Sequence, residues 1–260
     1  TTITDSDGSG IGLGDTAVGA GLNLSCGELQ KVTADGLTLA TSGGITVNNI
    51  TATNSATISG TTTLDAGTSI NFTAAASTFN ALDAQADDRV SVNVDVTTAV
   101  GDLSLDGDAN NTVDTFDDIV IASGAQLTAA GVLTLDATNG GISASGATTL
   151  NAADGVTLND SLSTTGTLTV NADTDPGDSV GTFTVASGAT VTTNNQSLSI
   201  TANDLSIVGT RSSGTANTTV TDSDGSGIGL GDATVAGGVN LGNSDLLAVT
   251  ANGLVLQTSG

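Results

Sequence analysis

Alternating aspartates set among glycines are the residues of this chain whose type and spacing could do chemistry. The opening segment carries Asp-Ser-Asp-Gly-Ser-Gly followed by one further acid, giving Asp5, Asp7 and Asp15, and the same arrangement returns as Asp222, Asp224 and Asp232. One acidic loop holds Asp106, Asp108, Asp114, Asp117 and Asp118, and a second holds Asp173, Asp175 and Asp178. Carboxylates spaced by glycine can wrap side-chain and carbonyl oxygens around a hard cation, so Ca²⁺ is the cofactor these loops suggest. The opening motif is not an EF-hand, because Ser9 stands where the third acid belongs and Thr16 where the bidentate Glu belongs. It also lacks the Gly-Gly-x-Gly-x-Asp repeat of calcium-binding β-rolls. The competing reading is a set of glycine-rich turns and solvated bulges in which Asp caps backbone amides. A further cluster, Asp83, Asp87 and Asp88, reads as a solvated loop with Arg89 as its local partner.

The remaining composition excludes much. The 260 residues contain no His, Trp, Tyr or Met, one Cys, and three Lys+Arg against 27 Asp+Glu, for a net charge of −24. Without His, neither a Ser-His-Asp nor a Cys-His nucleophile can be built, and a Cys/His zinc site is excluded too. Lys31, Arg89 and Arg211 are too few to neutralise phosphates, so nucleic acid is not expected as a partner. No apolar run reaches the ~18 residues of a membrane span, and no direct membrane insertion is expected. Paired aspartates occur in polysaccharide hydrolases, but sugar-stacking aromatics and additional basic groups are missing, so no enzyme activity is expected. Cys26 is read as an inert small residue, since one Cys gives no disulfide framework.

The elements that must position these acids come from repetition. Residues 1–43 and 218–260 align without a gap over 43 positions with 28 identities, an offset of 218 − 1 = 217. The chain therefore divides into one full repeat, 1–217, and the start of the next copy, 218–260. An inner repeat relates 101–137 to 166–202 at an offset of 65 and then 64, and it carries the two acidic loops at matching points. Finest of all is Gly-x-apolar-x-apolar, as in GLTLA (36–40), GVLTLDA (131–137) and GTLTVNA (166–172). This period of two is that of a strand with one buried face. No 3.6-residue period is sustained, and Thr, Gly and Asn oppose helix.

Closely spaced strands, small β-branched apolar residues and long tandem repetition predict an all-β β-solenoid with essentially no α-helix; the rival is a row of Ig-like sandwiches, against which the chain has no Trp to bury and no Tyr corner. At roughly 20 residues per coil and about 4.8 Å per coil, a 217-residue repeat would make about 11 coils and about 50 Å. Residues 73–100 are the least regular stretch. They are a candidate protruding loop or lateral contact, or else a longer turn with Phe72 and Phe79 packed inside. Thr-x-Thr pairs are scattered, which speaks for simple side-chain stacking rather than an ice-ordering face.

The cadence Gly-x-Leu-x-Leu/Val-Asx-Ala, in GTLTVNADTD and GVLTLDATNGG, resembles giant repetitive bacterial surface exoproteins, the filamentous-haemagglutinin-like adhesins and autotransporter passengers. The resemblance implies a right-handed parallel β-helix, secretion to the cell surface, and a place in adhesion, biofilm matrix or fibre formation. The chain lacks an Arg-Gly-Asp tripeptide. The expected role is thus a structural extracellular segment of a long β-solenoid in a fibre, sheath, surface layer or matrix, self-associating through neighbouring repeats. The alternative is the stalk of a large adhesin whose receptor- or glycan-binding tip lies elsewhere.

Overall fold

The structure is a computed structural model, and it describes residues 1–259. From Thr61–Ala66 to Asn217–Asp222 its strands pass through three long parallel sheets in strict rotation: first, second, third, first again. The first sheet has nine strands, from Thr2–Asp5 to Asp204–Ile207; the second has eleven and the third eight. Every strand pair is parallel, and within the span Thr61 to Asp222 each strand sits on its counterpart in the previous coil, the arrangement of a parallel β-helix; outside it Leu22–Leu24 pairs with the preceding strand Ile11–Gly14, and Val239–Leu241 with Ile228–Leu230 in a separate two-stranded sheet. Short helical turns, Cys26–Leu29, Ala52–Ser55 and Asn243–Leu247, stand beside the coils made by the opening motif and its neighbour.

Alternation along each strand becomes columns across coils. In the first sheet Leu39, Leu64, Ala84, Leu105, Leu135, Leu158, Val185 and Ile207 stack in register, all buried. The second sheet supplies Leu13, Val47, Phe72, Val92, Ile121 and Ala144; the third Leu127, Leu150, Val170, Ile200 and Val220. These inward columns form one continuous core. Outward residues stack as well. Thr78, Thr97, Thr128, Asn151, Asn171, Thr201 and Thr221 form one file on the third sheet, with Asn151 Nδ2 donating to Thr128 Oγ1 at 3.3 Å. Threonine and asparagine side chains far apart in the sequence are therefore stacked in one file.

Coil length departs from the uniform value that strand spacing suggests. Along the first sheet the register steps from Thr2 to Thr38, Thr63, Asp83, Ser104, Thr134, Thr157, Thr184 and Ser206. The shortest of these eight steps runs from Thr63 to Asp83 and the longest from Thr2 to Thr38. The mean coil is about a quarter longer than expected. The extra residues go to the corners, where loops bulge out while the strands keep their register. The shortest coils lie where irregularity was expected: residues 73–100 form ordinary strands, Ser77–Phe79 through Val96–Thr98, with Phe72 and Phe79 fully buried.

The two copies of the opening motif fold alike but on different sheets. Thr2–Asp5 lies in the first sheet, whereas its equivalent Asn217–Asp222 lies in the third, and Leu37–Thr41 and Gly253–Thr258 are shifted in the same way. One repeat thus winds eight full turns and two thirds of a ninth, in place of the expected eleven coils. At about 4.8 Å per coil that is about 42 Å of rod. The inner repeat shifts identically: Leu103–Asp106 is in the first sheet and its equivalent Leu168–Asn171 in the third. Its two acidic loops consequently project from different corners of the coil.

Candidate metal centre

At the corner between the first and second sheets, residues 107–117 leave the strand Leu103–Asp106 and return at Asp118–Ile121. Asp106 stands on the outer face of its strand, stacked in register between Gln85 and Asp136. Burial, and then the charges of Asp136, Asp108 and Asp83, push its carboxyl up to about 6, while the Asp108 amide opposes the shift. Asp108 is fully buried; its Oδ2 accepts from Asn139 N at 2.8 Å and Nδ2 at 2.7 Å, and its Oδ1 accepts nothing. Asp117, in left-handed backbone at φ 47°, accepts from Asp114 N on Oδ2 and likewise leaves Oδ1 without a partner. Asp118 is taken by Arg89, with Nε to Oδ1 at 2.5 Å and Nη2 to Oδ2 at 3.0 Å, and Phe116 lies 4.2 Å beneath the same guanidinium. Arg89 therefore pairs across coils, not with its sequence neighbours Asp87 and Asp88. A reach of one coil brings Asp118 beside it, since Arg89 and Asp118 are register partners.

The opening motif places its acids in turns. Asp5 is buried, and its Oδ2 accepts from Gly10 N and from Thr41 Oγ1, both at 2.9 Å. Asp7 Oδ1 accepts from Ser9 N at 2.9 Å, and Asp15 Oδ2 from Asn49 Nδ2 at 2.6 Å. Those hydrogen bonds hold the Asp7 and Asp15 carboxyls below their ordinary range. The second copy repeats the pattern: Asp222 Oδ2 accepts from Gly227 N at 2.8 Å, Asp224 from Ser226 N and Oγ, and Asp232 from Asn243 Nδ2 at 3.3 Å. Asp222 is fully buried, and its Oδ1 has no partner. Backbone amides thus take one oxygen each of Asp5, Asp7, Asp222 and Asp224, the capping expected of glycine-rich turns, while Asp15 and Asp232 are met by asparagine side chains.

The remaining loop behaves differently. Residues 173–181 bulge at the corner between the third and first sheets and dock on the turn one coil back, where Thr174 N donates to Ala152 O at 3.0 Å. That turn carries Asp154. Asp154, Asp175 and Asp178, all exposed, bring one carboxylate oxygen each to within 4.8 Å of one another. At the base of the loop Asp173 is 3% exposed; its Oδ2 accepts from Ser223 Oγ, two coils on, and its Oδ1 accepts nothing. Gly181 closes the loop at φ 94°, where a side-chain carbon would lie 2.4 Å from Asp173 Cβ. Burial raises the Asp173 carboxyl and the Ser223 hydroxyl opposes this, while the charges of Asp178, Asp175 and Asp224 raise it further. Burial, followed by Asp175, Asp178 and Asp102, raises Asp154.

The sequence reading therefore has Asp173, Asp175 and Asp178 in one place but misses Asp154. TLNA (149–152) and TVNA (169–172) share a cadence, and the register that makes them successive rungs puts the acid that follows the first under the loop that follows the second. Among the described residues, no other group of three acids converges this closely. Comparison with protein-family models, with curated proteins and with solved structures finds no match.

Proposed function

We propose that this chain is a structural segment of a long extracellular β-solenoid, contributing length and stiffness to a fibre, sheath, surface layer or matrix. The observation that carries the reading is the seam between repeats. Asn217–Asp222, the first strand of the second copy, pairs in register with Leu198–Ala202, and Gly253–Thr258 then pairs with Asn217–Asp222. The ladders of the third and second sheets thus run from the first copy into the second, while the first-sheet ladder ends at Asp204–Ile207 and Ile228–Leu230 pairs with Val239–Leu241 in a separate two-stranded sheet. A unit whose last coil offers parallel edges to the next copy adds length by the stacking it uses internally, although the next copy begins on a different sheet. The resemblance to surface exoproteins supports the extracellular setting, as does an acidic surface that keeps neighbouring rods apart. No helix among the described residues is long and apolar enough to cross a membrane.

Electron microscopy of the native, full-length material tests the proposal. Unbranched filaments many times longer than one repeat, about 42 Å from the coil spacing, are expected. Short particles of defined length with a distinct head would overturn it in favour of an adhesin stalk with a binding tip.

A further inference from the structure

We propose that the outer face of the third sheet is a lateral contact surface whose occupant is a second copy of this chain, laid flank to flank. The proposal rests on the structural reading above and adds to it the side by which two rods meet. Two independent distributions mark that side. The first is charge. From Thr61 to Asp222 every aspartate except Asp95, Asp118 and Asp222 stands on the first sheet or on one of the two corners that flank it. Asp118 is paired with Arg89 and Asp222 is fully buried, so Asp95 is the one uncompensated carboxylate on the far side of that span. On the strands the contrast is complete. Asp65, Asp83, Asp106, Asp136 and Asp204 point outward from the first sheet. No strand of the third sheet presents an ionisable side chain on its outer face.

The second distribution is relief. The bulges 107–117 and 173–181 leave the corners on either side of the first sheet. The corner between the second and third sheets carries short turns, such as 93–95, 145–147 and 165–167, and from Thr61 to Asp222 its longest is 193–197. The third-sheet face is therefore uncharged, unobstructed and in register. Beside the file of Thr128 and Asn151, a second file of Thr149, Thr169, Ser199 and Thr219 rises one rung at a time. Two acidic sides brought together have acceptors but no donors, whereas hydroxyls and carboxamides both donate and accept, so this face is complementary to itself. The net charge of −24 opposes the other orientations, and that repulsion selects the neutral flank. Eight rungs at about 4.8 Å, on strands about 15 Å long, give about 600 Å² per chain and about 1,200 Å² for a pair, the lower end of a specific interface. One pair of chains thus meets weakly, and tandem repeats multiply the contact.

Small-angle X-ray scattering of the whole chain over a concentration series tests this, because it separates width from length. A pair with doubled mass and doubled cross-section but unchanged length is expected, and raising NaCl from about 0.05 to about 0.5 M should favour it by screening the acidic sides. At the higher salt, Thr149→Asp with Thr169→Asp, which puts carboxylates on the contact face, should weaken pairing at least tenfold. Thr134→Asp with Thr157→Asp makes the same change on the outer face of the first sheet and should leave pairing intact, which controls for the poor strand propensity of aspartate. A chain that stays monomeric at every concentration and salt overturns the proposal, and so does equal loss of pairing in the two double variants. A pair that doubles in length alone also overturns it while upholding the end-on growth of the structural reading, so the two fail separately.

Discussion

Arg211 is the largest fully buried side chain of the molecule, and it stands in an apolar file. Its register neighbours in the second sheet are Val191 on one side and Val249 on the other, with Leu162 beyond Val191. Nη2 donates to Asp245 O at 3.1 Å, while Nε and Nη1 have no partner. Burial accordingly pulls the guanidinium pKa down, opposed by the charge of Asp245. Each unsatisfied buried donor group costs about 1–3 kcal/mol, against about 1.5–3 kcal/mol for the one charge-assisted bond that is made. Leucine at this position would add about 1.5–3 kcal/mol of apolar burial. Arg211→Leu is therefore expected to stabilise the fold by about 1–4 kcal/mol, the range seen when buried ions yield to hydrophobic residues of similar size. Arg211→Ala, which leaves a void, should not. Urea denaturation followed by far-ultraviolet circular dichroism reads both variants, with amide exchange in 210–212 and 249–250 localising the effect. If Arg211→Leu is the less stable protein by more than about 1 kcal/mol, the guanidinium is satisfied in solution and the reasoning fails.

Three further outcomes follow from the same accounting. Asp106, Asp83, Asp88, Asp154, Asp160 and Asp173 all have carboxyls raised on folding, so the folded chain holds their protons more tightly than the unfolded chain. Their contribution to stability is complete below about pH 4, the unfolded value, and is lost as pH rises through the folded values, about 6 for Asp106. Without added cation the melting temperature should fall between about pH 4 and pH 7, and Asp106→Asn should flatten that fall; a rise over the same range would contradict the assignment. Phe72→Ala removes a ring packed in register between Val47 and Val92 and should cost about 3–5 kcal/mol in chemical denaturation. Arg89→Ala should change global stability by about 1 kcal/mol or less, because the ion pair is part-exposed, yet it should speed amide exchange across 114–118; unchanged exchange there would mean Arg89 does not tether the loop.

Strand type was legible because Gly-x-apolar-x-apolar states which face of each strand is buried, and residues such as Leu133 and Leu135 lie where that pattern puts them; the parallel direction was legible only through tandem repetition and the resemblance to surface exoproteins. Coil length was not legible. Corners absorb anything from a tight turn to a bulge as long as 107–117, and nothing in a bulge's composition says how far the chain will run before the ladder resumes. That variation also hid the alignment of Thr128, Asn151, Asn171 and Thr201, whose spacings in sequence are unequal although their spacing in space is one rung. The same obstacle concealed Asp154. Its partners Asp175 and Asp178 follow it by one turn of the local coil, a separation that means contact only once the length of that coil is known. Arg89 and Asp118 were separated in the same way.

The fractional winding of the repeat reaches beyond one copy. Because one repeat makes eight turns and two thirds, successive copies wound alike would face three compass headings in turn. A given corner would regain its first heading only after three copies, when the turns add to a whole number. An array of this kind is a screw with threefold display. Whatever a corner loop grips is offered on all sides of the shaft instead of along one ridge, so neighbouring rods could be engaged from any azimuth and would pack as a bundle instead of a one-sided ribbon.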